Sequence, residues 1–91
     1  MSAFDLISGP GDHPGPKVWQ FVASRAITLK EAQEKVGGYV EVLRGGLLDE
    51  DIMLVDEDGL LKQLEYNEMA SWAAGRDVVG DVVVIKREWF K

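Results

Sequence analysis

Ile27-Thr-Leu-Lys-Glu-Ala-Gln-Glu-Lys-Val-Gly-Gly-Tyr-Val-Glu-Val42 is the stretch that decides the fold. Thr28 reads as a helix N-cap, and Glu31, three residues on, completes a capping box. Ile27 is placed to staple onto Ala32, and Leu29, Ala32 and Val36 share one helical face. Gly37 supplies a left-handed C-terminal residue. Beyond the paired glycines the period changes from helical to alternating. Val40 and Val42 then point one way, with Tyr39, Glu41 and Leu43 the other, which is a strand pattern. A capped helix feeding a strand points to an α+β domain.

Outward from this segment the same signals recur. Lys17 to Ala23 alternates, with Trp19, Phe21 and Ala23 on one face, and predicts a strand. Ile52 to Val55 predicts another, Asp56-Glu-Asp-Gly59 a turn, and Leu60 to Leu64 a further short strand. Asn67 caps a second helix over 68–74, closed by Gly75, with Met69, Trp72 and Ala73 at helical spacing. Val82 to Ile85 is apolar on both faces and predicts a strand in the middle of the sheet, with Gly80 marking a bulge. The expected architecture is an antiparallel or mixed sheet of four to five strands with two short helices on one face. Trp19, Phe21 and Trp72 are expected in the core. Residues 1–16, with the Gly/Pro-rich run 9–16, predict an N-terminal arm, and 17–91 a single domain.

Composition limits the function. A chain of 91 residues with 46% apolar content makes one small core. It contains no cysteine, which excludes disulfides, thiolate metal sites and a cysteine nucleophile, and fits a cytoplasmic setting. No run approaches the length of a membrane span, and no signal peptide is expected. A net charge of −6 disfavours direct binding to nucleic acid or to anionic lipid.

Catalytic signatures are absent. The lone histidine, His13, lies in the Gly/Pro-rich arm without a rigid group to orient it. No serine sits in a nucleophile elbow. Gly9-Pro-Gly11 lacks the preceding strand and following helix of a dinucleotide fingerprint. In a calcium-loop register Asp56, Asp58, Gly59 and Glu65 fall on motif positions, but Leu54 occupies the first ligand position and cannot coordinate. No metal and no cofactor is expected.

Four motifs in order, Val36-Gly-Gly-Tyr-Val-Glu41, Met53-Leu-Val-Asp-Glu-Asp-Gly59, Asn67 with Ala70, and Val79-Gly-Asp-Val-Val83, resemble the domain-of-unknown-function family 3846 of bacteriophages and mobile elements. The resemblance covers about two-thirds of the chain. It implies a phage-type accessory protein acting on host machinery and carries no functional residue across.

The expected function is therefore a non-enzymatic binder that inhibits a host protein, such as one of host defence. Its candidate contacts are the acidic turn Asp56, Glu57 and Asp58, and the C-terminal aromatics Trp89 and Phe90. Those aromatics, with Phe4, Leu6 and Ile7 near the other terminus, also predict a homo-oligomer. One alternative is an oligomeric sponge for a nucleotide-type ligand held at protomer interfaces. Arg25, Arg44 and Arg76 with Tyr39 or Trp72 would line that site, and Arg87 and Trp19 also belong to the possible lining. A third is a small hydrolase dependent on a carboxylate such as Glu41 or Asp81.

Overall fold

A computed structural model describes residues 4–6, 16–21 and 26–89. Its elements in chain order are strands β1 (Phe4–Leu6) and β2 (Val18–Phe21), helix α1 (Leu29–Val36), strands β3 (Val40–Leu43) and β4 (Asp51–Asp56), helix α2 (Glu68–Ala74), and strand β5 (Val82–Lys86). A 3-10 turn, Arg87–Trp89, follows. The five strands form one mixed sheet in the order β1-β2-β5-β4-β3. β2 runs parallel to β5, and the other neighbouring pairs are antiparallel. The α+β reading holds, and β5 is the central strand, as its two-sided apolar sequence requires.

Both helices begin and end as their sequences dictate. Thr28 accepts a hydrogen bond from the Glu31 amide at 3.1 Å, while the Glu31 carboxylate accepts one from the Thr28 amide at 3.1 Å. That reciprocal pair satisfies donors the first helical turn otherwise leaves open. Asn67 caps α2, its Oδ1 accepting from the Ala70 amide at 3.0 Å. Gly37 and Gly75 close the two helices in the left-handed region.

The helices do not share a face of the sheet, contrary to the sequence expectation. Ala32 and Val36 of α1 pack with Ile27, Ile52, Leu54, Val83 and Ile85. Ala70 and Ala74 of α2 pack with Met53, Val55, Val82 and Val84, on the opposite side. Successive residues of a strand point to opposite faces, so β4 and β5 present one set to each helix. A strand buried on both faces needs two covers.

Four further expectations change. Phe4–Leu6 belongs to the sheet, pairing antiparallel with β2, so the N-terminal segment is not solely an arm. The remainder of that predicted arm lies outside the described residues. Leu60 to Leu64 is not a strand: Lys62 donates its amide to the Asp58 carbonyl and Leu64 to the Gly59 carbonyl, which winds the segment into turns. Leu60 and Leu61 stand 80% and 84% exposed. Leu29, at the open first turn of α1, is half exposed rather than packed. Gly80 lies ahead of β5 in the left-handed region rather than in a bulge within it.

Candidate functional site

Small residues determine where the loops meet the helices. Gly46, in the β3–β4 connection, sits so close to the end of α2 that a Cβ there would lie 2.6 Å from the Ala74 carbonyl carbon and oxygen. Only glycine admits that approach. The contact is fixed by the Leu47 amide, which donates to the Ala73 carbonyl at 2.8 Å and so satisfies an open C-terminal carbonyl of the helix. The Ala73/Ala74 side of α2 is thereby joined to the 44–47 loop.

This junction gathers several of the sequence candidates. Arg44 enters the loop, Arg76 leaves the helix, and both are exposed. Trp72, expected in the core, is instead 72% exposed. Met69, one helical turn earlier, is partly exposed, and Leu47 is 60% exposed. The buried face of α2 consists of Ala70, Ser71 and Ala74. Ser71 explains that choice: its hydroxyl donates to the Val78 carbonyl at 3.1 Å and accepts from the Val78 amide at 2.8 Å. These two bonds turn the small side of the helix inward and leave Trp72 facing outward.

Other candidates fall elsewhere. Tyr39 precedes β3 and Arg44 follows it, so about 16 Å of strand separates them. They cannot line one compact pocket of a single copy. Arg25 and Phe90 lie outside the described residues, as does the Trp89 side chain. Trp19 is partly buried against α1, with the Lys35 ammonium 4.1 Å from its ring centroid.

The acidic turn divides by role. Asp56 is not an available partner contact. Its side chain is 2% exposed, and its Oδ2 is 2.7 Å from the Lys62 Nζ. Its Oδ1 accepts from the Asp58 amide at 2.8 Å, closing the turn on itself. Lys62 also reaches the Gly37 carbonyl at 3.4 Å, which ties the loop after β4 to the end of α1. Glu57 remains exposed and Asp58 partly so. Asp56 is thus a structural acid, and a surface contact here would be made by Glu57 and Asp58.

The two carboxylates considered for hydrolysis are not brought together. Asp81, ahead of β5, accepts the Lys17 backbone amide at 2.8 Å. Glu41 lies exposed on edge strand β3. Among the described residues no group of three or more His, Cys, Asp or Glu side chains is arranged to hold a metal ion. No described helix is long and apolar enough to cross a membrane.

The sequence residues missed by motif reasoning are Leu47 and Gly46. The Gly45-Gly46 pair was their signal, because adjacent glycines in a short connection permit a close backbone approach.

No curated protein and no solved structure matches the chain. The sequence profile of the domain of unknown function DUF3846 matches residues 12–89. That span takes in α1, α2 and every strand from β2 to β5, and the chain belongs to the DUF3846 family.

Proposed function

We propose that this chain is a non-enzymatic binding module of phage or mobile-element type, which occupies the surface of a host protein and interferes with it. The outer side of α2 is its contact face. The observation that carries this reading is the exposure of Trp72. A small domain with a limited core gains by burying its tryptophans, and this one holds Trp72 out while polar bonds turn alanines inward. Trp and Arg are the residue types that dominate binding energy at protein interfaces. Here Trp72 and Met69 stand on one helix, with Arg76, Arg44 and Leu47 at its C-terminal end. In a chain of net charge −6, two arginines at this junction favour a partner with an acidic rim around an apolar pocket.

The test uses affinity capture from host lysate with the wild-type chain, a Trp72→Ala/Arg76→Ala variant, and a variant reversed in charge at Glu57 and Asp58. A partner retained in fixed stoichiometry by the wild type and by the charge-reversed variant, but lost with Trp72 and Arg76, supports the reading. A partner that binds the Trp72→Ala/Arg76→Ala chain as tightly as the wild type overturns it. A second reading, a module that sequesters a nucleotide-type ligand, draws on the same juxtaposition of Arg44 and Arg76 with an exposed aromatic. Cyclic nucleotides that raise the melting temperature of the wild type, and not of the variant, would favour it over protein binding.

A further inference from the structure

The free edge of β3 offers a site that the α2 face does not use. β3 is the last strand of the sheet, and its register with β4 pairs Val40 with Asp56 and Leu43 with Met53. One position before that ladder, the Glu57 amide donates to the Tyr39 carbonyl at 2.8 Å. Hydrogen-bonded and non-bonded pairs alternate along an antiparallel ladder, so Tyr39, Glu41 and Leu43 bond inward to β4. The backbone groups of Val40 and Val42 therefore point outward along the edge. No described residue bonds to them from that side. Edges in natural sheets are blunted by short strands, charges, proline or bulges; β3 is four residues long and carries one charge, Glu41, but no proline or bulge interrupts its register.

We propose that this edge pairs with the same edge of a second copy, antiparallel about a two-fold axis, so that two sheets become one. An isologous contact demands a self-complementary surface, and charge together with strand overlap selects the register. A two-fold axis centred on Glu41 sets that carboxylate opposite its own mate, which is destabilising. Axes centred on Val40 or on Val42 both avoid the clash, and the Val42 axis overlaps more of the strand, pairing 41–43 with 43–41 of the second copy. Val42 then exchanges both backbone bonds with Val42 of the second copy, Val40 pairs with Arg44 of the second copy, and Glu41 faces Leu43 of the second copy. The same register explains Tyr39, which is 70% exposed beside a strand. It is carried across toward Gly45 of the second copy, two residues beyond the end of β3 at φ +97°, where the position of a Cβ meets no atom within 4 Å. An aromatic laid over a side-chain-less position covers backbone that water would otherwise reach. Pairing also extends the apolar Val40/Val42 surface beside α1 into its symmetry mate.

The experiment is amide hydrogen exchange on the full chain, resolved by residue with NMR, beside sedimentation of the same samples from about 10 μM to about 1 mM, a range suited to a small interface. Protection of the Val40 and Val42 amides that rises with concentration, while Glu41 and Leu43 stay protected throughout, supports the proposal. Val42→Pro removes an outward donor, a position where edge strands tolerate proline. With two symmetry-related bonds lost, dimerisation should weaken by about thirtyfold. A chain that stays monomeric across the range overturns the proposal. So does a dimer in which the Val42 amide exchanges freely, or one that Val42→Pro leaves intact. If Val42→Pro does not fold, the exchange pattern of the wild type still decides.

Discussion

Asn67 is the residue whose replacement tests the architecture most sharply. It is 2% exposed and joins three segments. Its Oδ1 caps α2 through the Ala70 amide, and its Nδ2 donates to the Gly80 carbonyl at 2.8 Å and to the Lys17 carbonyl at 3.2 Å. One amide head thus links helix α2, the approach to β5 and the approach to β2. In Asn67→Ala the cap is lost, at about 1 kcal/mol. The Lys17 carbonyl keeps a partner, because it also accepts from the Val82 amide at 3.0 Å. The Gly80 carbonyl, in a buried residue, is left unsatisfied, at about 1–3 kcal/mol. The total is about 2–4 kcal/mol, a large share of the ~5–10 kcal/mol a domain of this size possesses. Asn67→Ser separates the two contributions, since a hydroxyl can cap the helix but is too short to reach the Gly80 carbonyl. Asn67→Asp keeps the cap and turns an oxygen toward two carbonyls, so it should be less stable than the serine variant. Urea unfolding followed by circular dichroism measures all three, and at about 1 kcal/mol per molar the alanine variant should unfold about 2–4 M earlier. If Asn67→Ser matches the wild type, the carbonyl links contribute nothing and the joint described here does not exist.

Other substitutions test separate parts of the structure. Trp72→Ala should change the unfolding free energy by less than about 0.5 kcal/mol, as an exposed position allows; a larger loss would place the ring in the core after all. Asp56→Ala should cost about 1–3 kcal/mol in the same unfolding assay, because it releases Lys62 and opens the Asp58 turn together, whereas Glu57→Ala should be nearly silent. Gly80→Ala should destabilise by more than about 1 kcal/mol, since φ is +79° and the new methyl would lie 2.6 Å from Leu64 Cδ1. Ile85→Ala, in the central strand, should cost about 2–5 kcal/mol by thermal or urea unfolding.

The sequence made the elements legible where local chemistry alone determines them. Thr28 with Glu31, Gly37, Asn67 and Gly75 each act within a few residues, so their signals survive whatever the tertiary context. The central place of Val82–Ile85 was legible for a different reason, because four apolar residues in a row leave no face for water. That same observation contained the answer to the helix placement. A strand apolar on both sides, beside Ile52–Val55 with the same character, requires a cover on each face. Two helices on one side would have left Met53, Val55, Val82 and Val84 bare. The misread segment, Leu60 to Leu64, shows the opposite case. It reads as a short strand, but the Lys62 amide bonds the Asp58 carbonyl and the Leu64 amide the Gly59 carbonyl, winding it into turns, and the Lys62 side chain reaches across to Gly37, 25 residues away.

The exposed position of Trp72 was hidden by the same kind of non-local choice, and it bears directly on function. Size favours turning Met69 and Trp72 inward, and hydrophobic spacing alone would do so. Two contacts with segments beyond the helix reverse it: the Ser71 hydroxyl must meet both backbone groups of Val78, and the Gly46 loop must lie flat against Ala74. Neither is satisfied with a large side chain on the inner face. The helix therefore buries its small residues, at the cost of leaving an indole in water. A Ser71→Ala/Gly46→Ala chain, made with Trp19→Phe and Trp89→Phe so that Trp72 alone emits, removes both constraints, and its fluorescence should shift to the blue if packing forces alone can then rotate the helix. A spectrum unchanged from the Trp19→Phe/Trp89→Phe parent, in a chain that remains folded, would mean that something other than these two contacts holds the tryptophan outward.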